Sequence, residues 1–383
     1  MTALLYYRFQ PPNNFHINPL ADANEYEKIY DFFHGNSADY VIRFGFHNRV
    51  LIPFLASLIP AQNISTDFFI LNTFFALLAL LALVYLFRCY AISNKHIVLC
   101  LTFFSLHWVG PFRQNAINPI NVDMAVYFFE VLFLILFIRK KYVLLLILMP
   151  IAIATKEVFL ALAIVFLCIA LIWQFFFKDK SFSIPWISGI VIIGILTKMV
   201  LNYYFPSVSP GRNSLLVMAF HLREMALHPD HAIRWILSLF AAFGAFLFVV
   251  LKKPKDLKSM KKEDLLIHLL SLSVLALSFL GGMDYTRLIF LGFPYVMISI
   301  LKIGKPTNDK MIWAFILSIV LTRFWMILPA AAGDIKVYSS WMPEYADISH
   351  LISWSFTAFL FLILYIGGMA IWRFTFKTDR RVE

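Results

Sequence analysis

The sequence predicts an all-α polytopic membrane protein with about 11 transmembrane helices and interfacial helices in its first external loop. Three observations predict it. The chain is 61% hydrophobic and only 14% charged, with a mean hydropathy of +0.77, whereas soluble domains run at about 45–50% apolar and about 25% charged. A soluble core cannot hide that excess, because a water-facing surface needs polar residues. Apolar runs of near-spanning length also recur along most of the chain, and Lys and Arg collect in alternate loops between them.

A crossing helix needs about 20 mostly apolar residues. By that criterion the spans fall near 66–87, 96–112, 121–138, 142–154, 157–177, 184–204, 232–251, 264–281, 286–302, 311–329 and 351–373. The fourth is too short to cross alone without bilayer thinning or protein cover, so it also reads as half of a broken pair with the fifth. Residues 1–65 form an external loop. Residues 66–383 form the multi-spanning domain, with further external loops near 205–231 and 330–350.

Charge tests this alternation. With 1–65 outside, the inward segments hold 20 of the 33 Lys and Arg residues, including the Lys252–Lys262 cluster and the C-terminal Arg380-Arg381. That bias fits basic loops on the cytoplasmic side and places the C-terminus there. The net charge of +11 therefore points to anionic lipid. Nucleic acid is excluded as a partner, since no basic face separates from the apolar helices. Cys89, Cys100 and Cys168 form no CxxC pair and suggest neither a disulfide framework nor a zinc site. The run Ala3–Tyr7 is too short for a span or signal peptide, so either the N-terminal tail is translocated or the topology expects a further helix before the first loop.

The first external loop carries chemistry. Apolar and aromatic residues recur at helical spacing from Tyr26 to Phe33 and from Arg49 to Ile59, as in helices lying in the membrane interface. Asp22 stands at the start of the first stretch, where a carboxylate suits a helix N-terminus or its cap. Glu25 and Asp31 lie close by. Lys156, Arg287, Arg49 and Arg113 all fall at the outward surface, at the depth of a lipid phosphate. They read either as phosphate-binding cations or as snorkelling interface residues. Lys156 with Glu157, and Asp284 with Arg287, also read as plain ion pairs. Asp123 follows Asn118-Pro-Ile-Asn121 at the start of a span, as a helix-start acid or a second site acid. Glu130, Lys198 and Arg323 lie within spans, where ionisable groups are costly and often mark a pathway. The last loop, with Trp341, Glu344, Tyr345 and Asp347, reads as interfacial, although aromatics beside acids also suit a sugar. His221, His228 and His231 lack a metal-binding spacing and read as surface residues.

Several of these stretches resemble GT-C glycosyltransferases, multi-spanning enzymes that use polyprenyl-phosphate sugars. They are Asp22-x-x-x-Tyr26, then Arg49-Val-Leu-x-Pro53; the break at Thr155-Lys156-Glu157; and Gly281-Gly-Met-Asp284-Tyr-Thr-Arg287 followed by Phe293-Pro294. The likeness is spread over most of the chain in short, degenerate motifs. It implies a GT-C-like fold and sugar transfer at the extracytoplasmic face of a bacterial inner membrane. The partners would be a polyprenyl-phosphate-sugar donor, membrane lipid, and a glycan, lipid or protein acceptor. It also implies Asp22 as base, with Asp123 as a second acid. Lys156, Arg287 and Arg49 would bind the donor phosphate, with Glu25, Tyr26, Glu157 and Asp284 in support. Some members use a divalent cation, but no DxD motif is present here. Sugar transfer requires the acceptor hydroxyl to lose a proton, which a carboxylate can take, while cations stabilise the leaving phosphate. On this reading Asp22 must lie within one reaction centre of Lys156 and Arg287. Two other readings compete. A surface-polysaccharide polymerase or ligase would keep key arginines in a late external loop, which here carries only Lys336. A transporter or lipid flippase would need Glu130, Lys198 and Arg323 to line one track.

Overall fold

A computed structural model describes residues 6, 8–17, 21–61, 63–209, 214–251, 261–282, 284–328 and 340–377. Among these residues there is no β-strand, only one isolated parallel bridge between Ile42 and Ser207. Most of the Lys252–Lys262 cluster, Lys336, Tyr338 and Arg380-Arg381 lie outside the described residues.

The segment before the first long helix contains α1 (Asp22–His34) and α2 (Leu51–Ser57). The bundle then runs through α3 (Ile64–Cys89), α4 (Asn94–Leu106), the short α5 (Pro111–Ile117), α6 (Asp123–Ile138), α7 (Tyr142–Thr155), α8 (Val158–Phe176) and α9 (Ile184–Tyr204). After α10 (Ser214–Leu227), α11 (Asp230–Phe243) passes into a 3₁₀ stretch, Gly244–Leu251. The chain closes with α12 (Lys262–Leu280), α13 (Tyr285–Leu291), α14 (Phe293–Gly304), α15 (Asn308–Thr322) and α16 (Ile348–Lys377).

Among the described residues, six helices are long and apolar enough to cross a membrane: α3, α8, α9, α11 with its 3₁₀ extension, α12 and α16. A seventh crossing is available if α13 and α14, bent by 67° at Gly292, act as one. The bend has a local cause. Pro294 stands in the first turn of α14, and a Cβ at Gly292 would approach the Val274 side chain to 2.7 Å, so the bend packs this closely on α12 because no side chain stands there. The sequence places about 11 spans, and the remaining four are shorter helices. The run at 96–112 ends as a helix at Leu106, and Pro111 opens α5 after a turn. The run at 311–329 ends at Thr322, where Arg323 adopts a left-handed φ of +46°. α6 and α7 have 16 and 14 residues. Hydropathy counts apolar residues past a turn as if they continued the helix, which makes the runs at 96–112 and 311–329 look longer than their helices, whereas α6 and α7 are as short as the sequence has them.

α9 and α16 carry the outer surface, with only 22% and 17% of their apolar windows buried. Ile192, Leu196 and Met199 on one, and Ile352, Phe356 and Phe359 on the other, are exposed. Water would penalise such faces, whereas lipid would cover them. The α11 window, 56% buried, is more central. At its end Gly244 (φ +55°) lies against Ser318, whose hydroxyl accepts the Ala245 N–H at 3.0 Å.

Side-chain pairs mark two ends of the bundle. At one end Tyr30 of α1 donates to the buried Asp67 of α3 at 2.8 Å. At the other, Arg139 reaches Cys89 (3.3 Å), Lys302 lies 3.8 Å from Asp264, and Lys262 pairs with Asp179 at 2.8 Å.

Candidate functional site

The turn before α6 is fixed first. The Asn72 side chain on α3 donates to the carbonyls of Pro119 and Asn121, at 2.8 and 2.9 Å. The Asn121 side chain then accepts the Asp123 N–H at 3.1 Å. Asp123 is thereby held, 4% exposed, as the first residue of α6. Lys156 occupies the extended break between α7 and α8 (φ −163°, ψ 134°), since the helix stops at Thr155. Its ammonium sits 2.8 Å from Asp123 Oδ1.

Arg287, on the first turn of α13, meets the same acid from the other side. Its Nε lies 3.5 Å from Asp123 Oδ2 and 2.7 Å from Asp284 Oδ2, and its Nη2 lies 3.2 Å from Asp22 Oδ2. The Nε proton is aligned with none of its neighbours, so this donor is buried without a hydrogen bond. Asp22 does not cap α1: Ala21 holds the cap position without a side-chain bond, and Asp22 turns to Arg287. Three acids and two cations from four separate segments thus meet at one end of the bundle. Asp22 is the most open of the three carboxylates, with 31% of its side chain exposed against 22% for Asp284 and 5% for Asp123. Burial pushes the Asp284 carboxyl up; Arg287 opposes this, while Asp22 and Asp123 add to it.

The other sequence-predicted residues have different duties. Arg49 grips Glu157 in bidentate fashion, at 2.8 and 3.0 Å, and donates to the Tyr26 hydroxyl at 3.0 Å. This ties the loop before α2 to the break beside Lys156. Burial raises the Glu157 carboxyl, but Arg49 outweighs it and holds the group well below its usual range. Glu25 lies one helical position from Tyr26 but serves the loop instead. It accepts the Arg43 backbone N–H at 2.8 Å and pairs with Arg43 Nε at 2.9 Å and Lys28 at 3.0 Å. Arg113 is fully buried and donates to carbonyls at the end of α15. Glu130 lies in the core below Asp123, facing the charge of Lys156; Arg323 stands over the Trp341 ring at 4.9 Å.

One buried acid goes beyond the sequence reading. Glu344 accepts the Thr286 backbone N–H at 2.9 Å, the Thr286 hydroxyl at 2.6 Å and the Ser238 hydroxyl at 3.1 Å. It thus braces the turn that presents Arg287. Arg234 clasps the same strap through the carbonyls of Pro343, Glu344 and Ala346. Burial and Asp284 push the Glu344 carboxyl up to about 7, against the pull of its Thr286 hydrogen bonds. Its position in an aromatic, acidic loop gave no hint of that contact.

Among the described residues, no three His, Cys, Asp or Glu side chains are grouped to hold a metal ion. The three aspartates surround a guanidinium rather than an open ligand position, so the site does not fit a resident divalent cation. The arrangement can bind an anion once the carboxylates yield their cations, and it can accept a proton beside that anion. Comparison of the chain with known protein families, with curated proteins and with solved structures finds no match.

Proposed function

We propose that this chain is a GT-C type membrane glycosyltransferase. It would transfer a sugar from a polyprenyl-phosphate donor to a glycan, lipid or protein acceptor on the extracytoplasmic side of a bacterial inner membrane. The observation that carries this reading is the placing of Arg287 against Asp22, Asp123 and Asp284, with Lys156 on Asp123. Gathering five ionisable groups at a bundle end is costly in desolvation, and a folding role alone needs no such convergence.

Lys156 and Arg287 would take the donor phosphate, the Arg through its planar fork and the Lys as a point charge. Asp22, the most open acid, would accept the proton. As the acceptor oxygen bonds to the anomeric carbon, its hydroxyl proton passes to Asp22. The bond from the anomeric carbon to the phosphate oxygen breaks, leaving polyprenyl phosphate on the two cations. Arg49, already committed to Glu157 and Tyr26, would hold the loop in place. The full topology would comprise about 11 crossings. The opposed sets of helix-end pairs support it, because α6 begins at Asp123 and ends at Arg139, and α7 returns to Lys156. The four short crossings would then lie among neighbours that thicken their apolar cover.

The test is Asp22→Asn, assayed for transfer from a polyprenyl-linked sugar. Loss of a general base should cost about 100-fold or more; full activity would remove Asp22 from the mechanism. A transporter or flippase is a second reading, favoured by one observation. Glu130 Oε2 and the Tyr295 hydroxyl are both buried in the core without a hydrogen-bond partner. Substrate movement across sealed vesicles that Glu130→Gln abolishes and Asp22→Asn spares would support it over transfer.

A further inference from the structure

At the end of the bundle opposite the acidic cluster, a cavity of about 360 Å³ opens between two turns. One turn joins α3 to α4 and the other joins α14 to α15. Ser93, His96, Lys302, Lys305, Pro306 and Asn308 line it. We propose that this cavity binds a phosphate-bearing anion, and specifically the headgroup of an anionic phospholipid.

The lining is rich in donors. Lys305 is exposed at its rim. Lys302 lies over the Tyr90 ring at 5.9 Å and 3.8 Å from Asp264. That separation is beyond hydrogen-bond length, so the ammonium keeps its N–H donors for another oxygen. Two helices of 13 and 15 residues begin at the cavity, α4 after Ser93 and α15 after Thr307. Each helix start adds partial positive charge. They differ in one respect. Ser93 caps α4 by accepting the His96 N–H, whereas Thr307 holds the cap position of α15 without a side-chain bond. Two residues with left-handed backbone, Ala91 (φ 53°) and Lys305 (φ 39°), line the cavity. A non-glycine residue in that region costs energy, so these turns are shaped at some expense. The carboxylates nearby are Asp264, loosely held by Lys302, Glu263 beside it, whose charge also reaches Tyr90, and Asp309 on the exposed first turn of α15. Its volume falls within the range of small-molecule sites, and a basic recess between helix ends at a membrane surface matches a lipid phosphate in charge and depth.

The inference does not depend on the sugar-transfer reading. The probe is phosphatidylglycerol in nanodiscs, against phosphatidylcholine nanodiscs, with the bound lipid counted by native mass spectrometry. The double variant Lys302→Gln/Lys305→Gln should lose about 10-fold of retained phosphatidylglycerol. Lys305→Gln alone, which leaves the Asp264 pair intact, should lose part of it. Lys140→Gln/Lys141→Gln removes the same charge at the same end away from the cavity and should lose none. Equal losses in both double variants would show plain surface attraction and overturn the site, as would no loss in either. A separate arm adds inorganic phosphate at millimolar concentration. If it displaces phosphatidylglycerol completely and protects the protein against heat to the same extent, the lipid assignment falls and free phosphate is the ligand.

Discussion

Two arginines at the same end of the bundle do opposite work. Arg113 is fully buried and, among the described residues, faces no carboxylate. Its donors go to the carbonyls of Thr322 (2.9 Å), Arg323 (3.3 Å) and Met326 (2.7 Å), where α15 ends. Tyr6 and Trp341 lie against its plane. Arg287 is 20% exposed and stands among three carboxylates. Backbone carbonyls cannot move away or take a proton, so Arg113 is permanently engaged. Carboxylates can do both, so Arg287 can exchange partners. The difference teaches that the chemistry of a cation's partners, carbonyl or carboxylate, decides whether it is fixed or exchangeable.

Breaking the first arginine should have the larger effect. Arg113→Ala takes its donors from three carbonyls at a helix end, although Arg323 O still accepts the Met326 N–H, and each carbonyl left bare costs about 1–3 kcal/mol. We expect a large fall in melting temperature in detergent and a poor yield of folded protein. Arg113→Lys should rescue little, because one ammonium cannot reproduce the planar fork. A variant that melts like the native protein would show that the end of α15 needs no clasp.

Arg287→Gln should give the converse result. Asp123 keeps Lys156, and Asp22 and Asp284 are open enough to be solvated, so the melting temperature should fall much less than in Arg113→Ala. On the proposed function, transfer should fall by about 100- to 1000-fold, the usual cost of removing a donor from a developing anion. Arg287→Lys should recover part of it. If the two arginine variants lose stability equally, the contrast between them is wrong.

Much of this was legible in the sequence, and the failures have physical causes. Apolar composition and charge bias made the helical class readable, because lipid imposes them on every crossing segment. The break at Lys156 was readable because a lysine and a glutamate interrupt an apolar run. Asp22, Asp123 and Arg287 could be named as outward ionisable groups, but nothing in their spacing required Arg287 to touch both acids. That contact joins residues 265 positions apart. Arg287 was set apart from Arg113 by the acid beside it, Asp284, but nothing in the sequence showed that Arg113 would clasp the end of α15. Asp67 sits in the first turn of α3, and only the fold brings the Tyr30 hydroxyl to it. Span lengths were overcounted where apolar residues continue past a helix end.

Glu344 offers the finest division between clasp and site, because it belongs to both. It accepts three hydrogen bonds from Thr286 and Ser238, and Thr286 directly precedes Arg287. Its carboxyl is raised to about 7, against roughly 4.3 for an unperturbed glutamate. Below about pH 4 it is protonated in folded and unfolded chains alike. Between there and pH 7 the folded chain holds a proton that the unfolded chain has released. Stability therefore declines as pH rises through that window and levels off above it. Glu344→Gln should remove this slope from the curve of melting temperature against pH, while the histidine contributions shared by both proteins cancel in the difference. An unchanged slope would mean that Glu344 is ionised throughout, and that its hydrogen bonds outweigh its burial. If the variant also shifts the pH profile of transfer, the strap acts on Arg287 through Thr286. If it shifts only stability, the strap is a clasp like Arg113, and the division between the two arginines extends to the segments that hold them.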